Sequence, residues 1–365
     1  MNILYLSLGK EYGGTEKVVE NLVDGFIDNK ITIGVLKGTR FSEKLAFKYR
    51  DNVNVRIFEF SDKSILKKVF LLRKLIKNEK FDFIHIHSIT SNFIFQLANI
   101  SLKNKSIVTV HSRADLDRKS FLKNYLMKKL ELKLLTKNDM IICVSNSIKE
   151  YLLKQGLKKN IKVIHNGIDN KRNKVNINRK NEFKSLYFYE KDFFVLFIGR
   201  LTEVKGVYNL VNIIKMMSNK NKNVKFLVVG DGELKGYIEE EILKKKLKNI
   251  KLLGFIDNIF EILPNCDLLL MPSNMEGIPI TLLEAMSCKV PCIASNVGGI
   301  PEIINNENGI LCEKSDVEDF VNKIDCFEKN RLLLDKYKEN TYKNFKENWC
   351  IDKFLEKYKE SYFLL

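Results

Sequence analysis

The chain has 365 residues, 45% of them hydrophobic and 29% charged, and a formal net charge of +17. This length favours two domains over one, and no apolar run approaches the ~18 residues that cross a bilayer. The seven cysteines form no CxxC pair, which argues against a disulfide framework and a zinc site and favours a reducing, cytoplasmic location.

The basic excess is confined to the first half of the chain. Residues 1–180 hold 36 Lys and Arg against 17 Asp and Glu, whereas residues 181–365 hold 26 against 28. A basic half beside a nearly neutral one predicts that the first domain faces something anionic, such as a phospholipid surface or a lipid-phosphate acceptor. The lysines are not interleaved with an aromatic stacking platform, so nucleic acid is not an expected partner.

In chain order, short β-rich runs alternate with amphipathic stretches over residues 1–168. The predicted strands are NILYLSL, ITIGVL, VNVRIF, FDFIHIH, SIVTVHS and DMIICVS, and the predicted helices include TEKVVENLVDGFID, SILKKVFLLRKLIK and NSIKEYLLKQG. Strands separated by helix-length segments must be parallel, with helices on both faces of the sheet. The pattern therefore predicts a doubly wound, Rossmann-like α/β domain.

The polar segment 169–181, DNKRNKVNINRKN, interrupts this pattern and is predicted to be a linker. The alternation restarts over residues 182–345 with FFVLFIG, GVYNLVNIIKMMS, VKFLVVG and CDLLLMPS, which predicts a second doubly wound domain. Residues 346–365 are predicted to form a C-terminal helix that packs back towards the first domain. Ligands of such sheets bind beyond the carboxyl ends of the strands, so a site is expected in those loops, at an interdomain cleft.

The loop after the strand FFVLFIG carries two cations, Arg200 and Lys205, with Gly206 opening the next helix. A planar guanidinium and a mobile ammonium beside a helix N-terminus suit a diphosphate. The alternative is that both are ordinary solvated loop cations.

The segment EGIPITLLEAMSC places Glu276 and Glu284 on either side of a Gly277-Ile278-Pro279 turn, with a helix starting near the proline. Free N–H groups at that helix start favour phosphate or sugar oxygens, and a carboxylate further along can accept hydrogen bonds from vicinal hydroxyls such as those of a ribose. The alternative makes Glu276 a partner of the helix dipole and Glu284 an exposed helix residue.

In combination, these motifs resemble glycosyltransferase family 4, retaining enzymes of the GT-B fold, in which two Rossmann-like domains face each other across a cleft. The resemblance spans nearly the whole chain. It implies that Arg200 and Lys205 contact the donor diphosphate, that Glu276 contacts the donor sugar, and that Glu284 contacts the ribose. The turn Gly277-Ile278-Pro279 belongs to the same donor-binding element.

The resemblance assigns further residues to the site. Gly13 and Gly14, followed by Thr15-Glu16, match the glycine turn that lets the backbone approach the donor, because glycine has no side chain. His111 matches an active-site histidine beside the transferred sugar, and Gly254-Phe255 matches a turn near the base. We expect the catalytic residues to be His111, Arg200 and Lys205, together with Glu276.

The function that this resemblance implies is retaining transfer of a sugar, from a UDP-sugar or another nucleoside-diphosphate sugar, to a hydroxyl of a glycan or lipid-linked acceptor. Bacterial surface polysaccharide assembly, such as capsule or lipopolysaccharide, is the expected setting. No metal or other cofactor is expected. The alternatives are a nucleotide-sugar epimerase of the same fold, a glycosidase that uses Glu276 and Glu284, and a basic membrane- or nucleic-acid-binding protein.

Three further patterns allow a second interpretation. Asp115-Leu116-Asp117 imitates a metal-binding DxD motif, but we interpret it as a loop or helix start. His85 and His87 alternate on one strand face, where strand-end packing or lining of the cleft is favoured over metal binding. The helices SILKKVFLLRKLIKNEK from Ser64 and KSFLKNYLMKKLELKLL from Lys119 interleave lysine with apolar residues, which supports peripheral membrane association as a hypothesis.

Overall fold

The computed structural model describes residues 1–10, 12–61, 64–112, 121–158, 160–169, 189 and 191–364, with side chains from residue 128 onwards in the helix that begins at 121. The chain forms two compact units. The first contains Met1–Asn166 and Ile351–Leu365, and the second contains Gly167–Cys350. Each unit is built around one parallel sheet, which confirms the predicted fold class.

The first unit has a seven-stranded sheet in the order β3-β2-β1-β4-β5-β6-β7. Its strands are β1 Asn2–Ser7, β2 Lys30–Leu36, β3 Val55–Phe60, β4 Phe83–His87, β5 Ser106–Val110, β6 Met140–Cys143 and β7 Ile161–Val163. Its helices are α1 Gly14–Gly25, α2 Arg40–Lys48, α3 Ile65–Asn78, α4 Ile89–Ala98, α5 Phe121–Leu135 and α6 Asn146–Lys154. Strands β4, β5 and β6 are buried along their whole length, as expected for parallel strands covered on both faces.

The second unit has a six-stranded parallel sheet in the order β10-β9-β8-β11-β12-β13. Its strands are β8 Phe193–Ile198, β9 Val224–Val229, β10 Ile250–Gly254, β11 Leu268–Met271, β12 Cys292–Ser295 and β13 Gly309–Cys312. Its helices are α7 Val207–Lys220, α8 Lys235–Lys245, α9 Ile280–Ser287, α10 Val317–Lys329 and α11 Arg331–Asn348. The apolar face of α7 packs with α10 against one side of this sheet, in a core that includes Phe226 and Phe320.

The last helix, α12 (Ile351–Phe363), belongs to the first unit. Its Tyr362 hydroxyl lies 3.2 Å from the hydroxyl of Tyr5 and 2.8 Å from Nδ1 of His85. The hydroxyl of Tyr358 lies 3.3 Å from Oγ1 of Thr109. These buried contacts attach the C-terminal helix to β1, β4 and β5, and hydrogen bonding offsets the cost of burying five polar side chains.

Several element predictions differ from the structure. The predicted strand SIVTVHS ends at Val110, so His111 is the first residue of the following loop. Helices α2 and α4 and strands β7 and β13 were not predicted. The predicted linker 169–181 lies outside the described residues except for Asp169, and Asp115-Leu116-Asp117 also lies outside them. Helix α11 continues to Asn348, beyond the predicted boundary at 346, and the helix that joins the first unit starts at Ile351.

No helix in the described part of the chain is both long enough and apolar enough to cross a membrane.

Candidate active site

The loop after β8 is held against the loop after β11. A short 3₁₀ turn, Glu203–Lys205, leads to Gly206, which has a left-handed φ of 72° and precedes α7. A Cβ atom on Gly206 would lie 1.8 Å from the carbonyl oxygen of Pro272, so only glycine allows this approach. The N–H of Asn274 donates to the carbonyl of Val204 at 2.8 Å and closes the same contact. The loop that carries Lys205 is therefore fixed beside the loop that leads to Glu276.

Lys205 and Glu276 form an ion pair at this junction. Nζ of Lys205 lies 2.8 Å from each carboxylate oxygen of Glu276. The Ser273 hydroxyl donates to Oε1 of the same carboxylate at 2.7 Å. The Glu276 side chain is 5% exposed and that of Lys205 is 25% exposed, so the ammonium faces solvent more than the carboxylate does. Glu276 is thus held by two donors in one orientation, and charge-assisted hydrogen bonds of this kind are the strong ones.

The segment after Glu276 leads directly into α9. Pro279 caps this helix, which begins at Ile280, so the N–H groups of its first turn lie close to Gly277 and Ile278 in the chain. Glu284 lies in the second turn and is only 5% exposed, which is contrary to the alternative that made it an exposed helix residue. The N–H of Gly299 donates to the carbonyl of Gly277 at 3.1 Å and supports the loop from behind.

The remaining donor-binding candidates of the second unit lie at the same edge of its sheet. Arg200 is exposed two residues beyond the end of β8. Gly254 ends β10, and its carbonyl accepts a hydrogen bond from the N–H of Gly230 at 2.8 Å. Phe255 follows Gly254 and is 45% exposed.

The glycine turn of the first unit is closed by an acidic residue. Gly13 caps α1, and Gly14 is its first residue. The N–H of Gly13 donates to Oε2 of Glu16 at 3.0 Å, and the hydroxyl of Ser7 contacts Oε1 at 3.4 Å. Glu16 is 6% exposed. This carboxylate fixes the turn by accepting from the backbone N–H of the cap residue, as in a capping box. An acidic residue three positions after a helix cap is the sequence signal for this contact.

His111 follows β5 and is hydrogen-bonded to a second histidine. Its Nε2 lies 3.0 Å from Nδ1 of His87, which is fully buried at the end of β4. Burial lowers the pKa of His111 to about 4 and that of His87 well below its ordinary 6.5; the neighbouring imidazoles lower the pKa of His87 further. Both rings are therefore neutral at pH 7. This placement agrees with strand-end packing of His87, one of the two predicted roles.

A cavity of about 250 Å³ opens beside His111 within the first unit. Its polar lining includes Thr15, Ser88, Asn92, His111 and the buried carboxylate of Glu131. Hydroxyl, amide, imidazole and carboxylate groups in one small cavity offer donors and acceptors suited to a hydroxyl-bearing ligand. Glu131 was not predicted, because a single glutamate within a lysine-rich helix carries no signal of burial.

The residues predicted from the sequence fall into two groups. The structure brings Lys205 into direct contact with Glu276, and it places the glycine turn and His111 at the carboxyl edge of the first sheet. The supporting contacts that Ser273, Glu16 and His87 make in these groups were not predicted.

Comparison with known proteins identifies the family. The family model for glycosyl transferases group 1 matches residues 178–344, and that for glycosyltransferase family 4 matches residues 12–172. The uncharacterized glycosyltransferase MJ1178 of Methanocaldococcus jannaschii is 32% identical over 335 residues, which cover 89% of this chain and 87% of that protein. The chain belongs to the group 1, family 4 glycosyltransferases. As a member of this family, it is a transferase.

One further relative and one solved structure extend the comparison for this glycosyltransferase. The UDP-Gal:alpha-D-GlcNAc-diphosphoundecaprenol alpha-1,3-galactosyltransferase of Escherichia coli is 31% identical over 271 residues, which cover 71% of this chain and 69% of that enzyme. The crystal structure of Anabaena Alr3699/HepE in complex with UDP-glucose matches with a TM-score of 0.88 at 18% identity and covers 100% of both chains. The fold of the glycosyltransferase is thus GT-B.

Proposed function

We propose that this glycosyltransferase moves a sugar from a UDP-sugar to a hydroxyl of a glycan or lipid-linked acceptor, with retention at the anomeric carbon, in surface polysaccharide assembly. The observation that best supports binding of the sugar donor is the Lys205–Glu276 ion pair beside the start of α9. Support for a UDP-sugar and a lipid-linked acceptor comes from the Escherichia coli relative, whose name states both, and from the HepE complex with UDP-glucose.

In the proposed reaction, the bond between the anomeric carbon and the donor phosphate oxygen breaks, and its electron pair stays on the diphosphate. The acceptor oxygen forms the new bond to the anomeric carbon, and its proton passes to a leaving-phosphate oxygen. Arg200, the ammonium of Lys205 and the N–H groups at the start of α9 would stabilise the growing negative charge. These groups supply charge compensation without a metal ion, and we propose that none is required.

Glu276 would have a different role. Its carboxylate is already held by Lys205 and Ser273, so it can present the remaining lone pairs to hydroxyl groups of the donor sugar without a further loss of side-chain freedom. Glu284, buried one turn into α9, would accept hydrogen bonds from the ribose hydroxyls. The exposed ring of Phe255 would stack on the base.

The acceptor half of the proposal concerns the cavity beside His111. Its lining of Ser88, Asn92 and Glu131 suits a sugar or polyol hydroxyl, and its volume of about 250 Å³ suits one monosaccharide rather than a long glycan. The rest of an extended acceptor would lie outside this cavity.

The experiment that tests the proposal combines the purified chain with a panel of UDP-sugars and an undecaprenyl-diphosphate-linked monosaccharide. The product is analysed by mass spectrometry and by NMR of the new anomeric proton. We expect one UDP-sugar to extend the acceptor with the donor's own anomeric configuration, and a Lys205→Ala variant to lose most of this activity. An inverted product would overturn retention. Conversion of the UDP-sugar to its epimer without an acceptor would identify an epimerase.

We also propose that α3 contacts an anionic membrane surface. Leu66 and Phe70, one helical turn apart, are 78% and 67% exposed. Lys67, Lys74 and Lys77 are exposed on the same helix. Apolar side chains flanked by lysines match an anionic bilayer, where each lysine contributes about 1 kcal/mol and the apolar groups enter the interface. A lipid-linked acceptor would bring its enzyme to such a surface.

Sedimentation with vesicles of phosphatidylglycerol and phosphatidylcholine at low salt tests this surface. We expect the native protein to pellet, and a Leu66→Gln, Phe70→Gln variant to stay in the supernatant. The matched control is Leu243→Gln, since Leu243 is also 78% exposed but lies on α8 of the second unit. The proposed contact would be refuted if all three proteins sedimented equally, or if the native protein did not sediment with the vesicles.

A further inference from the structure

Three histidines lie at or near the carboxyl edge of the first sheet, and their hydrogen bonds differ. His85 is satisfied at both ring nitrogens, by the Tyr362 hydroxyl at Nδ1 and by Oγ1 of Thr109 at Nε2, each at 2.8 Å. His87 and His111 share a single contact, 3.0 Å between Nδ1 of His87 and Nε2 of His111. Side chains point alternately to the two faces of a sheet along each strand, and β4 pairs with β5. This register places His87 and His111 on the same face of the sheet.

The protons of this pair can be counted. Each ring is neutral at pH 7 and carries one N–H, and the shared contact requires one nitrogen to donate and the other to accept. Nε2 of His87 is buried without a hydrogen-bond partner in the described structure. A proton on that nitrogen would leave a buried N–H donor unsatisfied, and orphaned buried donors are rarer in proteins than under-used acceptors. The arrangement favours the proton on Nδ1 of His87, which then donates to His111.

This choice fixes the second ring. Once Nε2 of His111 accepts the proton of His87, the single N–H of the neutral His111 ring must be on Nδ1. Within the described residues, Nδ1 of His111 makes no hydrogen bond, and the side chain lines the cavity of the first unit. The ring therefore offers a donor, and no lone pair, to a ligand.

We propose that His87 is a positioning residue for the sugar-transfer site: its Nδ1–H holds His111 in the Nδ1–H form, which donates to an oxygen of the bound sugar or acceptor. This inference rests on the proposed function for the place of His111 beside the transferred sugar. In this form His111 cannot take the proton of the acceptor hydroxyl. Its contribution is to orient an oxygen and to stabilise negative charge on that oxygen.

Nitrogen-15 NMR of histidine-labelled full-length protein tests the tautomer directly. The chain has only four histidines, and the signals of His87 and His111 are assigned from the His87→Asn and His111→Asn variants. Two-bond proton–nitrogen correlations then show which ring nitrogen is protonated. We expect Nδ1–H for both rings at pH 7. A proton on Nε2 of His111 would overturn the inference.

Matched variants test the positioning role. In His87→Asn, the amide N–H lies near the place of Nδ1 and keeps a donor, whereas His87→Leu has a similar volume and no donor. We expect His87→Asn to keep its turnover number within about threefold of native and His87→Leu to lose about tenfold, with little change in the KM for the donor. Equal turnover in the two variants, at matched thermal stability, would show that His87 has only a packing role.

Substitution of His111 itself provides the complementary comparison. Asparagine places its amide nitrogen near the position of Nδ1, and glutamine places it near Nε2. We expect His111→Asn to retain more transfer than His111→Gln, and the reverse order would contradict the assigned tautomer. Failure of the proposed function is recognised separately, because the native protein would then transfer no sugar while the NMR experiment would still assign the two rings.

Discussion

The turn at Gly298 provides a steric test of the site, because it lies against the backbone of Glu276. Gly298 has a left-handed φ of 58°, and an added Cβ would lie 1.8 Å from the carbonyl oxygen of Glu276. Real Cβ contacts essentially never fall below 3.0 Å, so the substitution Gly298→Ala must shift the Glu276 loop by about 1.2 Å. A displacement of about 1 Å in a catalytic geometry can cost roughly 100-fold in rate.

Gly38→Ala is the matched control. Gly38 has a φ of 70°, and a Cβ there would meet nothing within 4 Å. Both substitutions incur the left-handed backbone cost of about 1–2 kcal/mol, which thermal unfolding measures. Only Gly298→Ala should also lower kcat/KM for sugar transfer, by about 100-fold. Native kcat/KM in Gly298→Ala, or an equal loss in Gly38→Ala, would refute the reasoning that the Glu276 loop must be held in place.

Three other predictions follow from the same geometry. Ser273→Ala removes one of the hydrogen bonds to Glu276 and should lower kcat/KM about tenfold; the loss is limited because Lys205 still holds both carboxylate oxygens. Steady-state kinetics with the sugar donor varied measures this effect, and an unchanged kcat/KM would show that the serine is dispensable. Acidification from pH 7 to pH 5 should destabilise the first unit. In the folded protein His85 and His87 are neutral, because burial lowers the pKa of His85 to about 3 and that of His87 well below its ordinary value. The unfolded chain takes up protons below about pH 6.5, so acid stabilises the unfolded state relative to the folded one. His85 should contribute about 2 kcal/mol of this loss at pH 5, and thermal unfolding of His85→Phe should show a smaller loss; an equal loss in that variant would contradict the argument. Sugar transfer should persist in excess EDTA, because side-chain cations and helix N–H groups provide the proposed charge compensation; activity that is lost and then restored by Mg²⁺ or Mn²⁺ would contradict it.

The elements that were predicted correctly are those with strong local signals. Strand β8, for example, is a continuous apolar run and is almost fully buried. Helix α4, ITSNFIFQLA, was not predicted because it is apolar on most sides and shows no helical period, and β7 is only three residues long. Helix α2 is capped by Thr39 and has Ser42 three residues later, a serine variant of the capping box, so a usable signal was present.

The site was predictable as a set of residues but not as a set of contacts. Motif spacing identified Lys205 and Glu276 separately, since each lies beside a recognisable helix start. Their pairing joins loops that are 71 residues apart in the chain, and it depends on the adjacency of β8 and β11 in the sheet. The hydrogen bond from His87 to His111 likewise depends on the register of β4 and β5, which no local pattern encodes.

Calorimetric titration with uridine, guanosine and adenosine diphosphate sugars tests the central claim most directly, using the native chain and an Arg200→Ala, Lys205→Ala variant. Each lost charged hydrogen bond should cost about 1.5–3 kcal/mol. We expect selective binding of one UDP-sugar by the native protein and no measurable binding by the variant. Equal affinity of the two proteins, or no binding to any member of the panel, would contradict the claim that these loops hold the donor diphosphate.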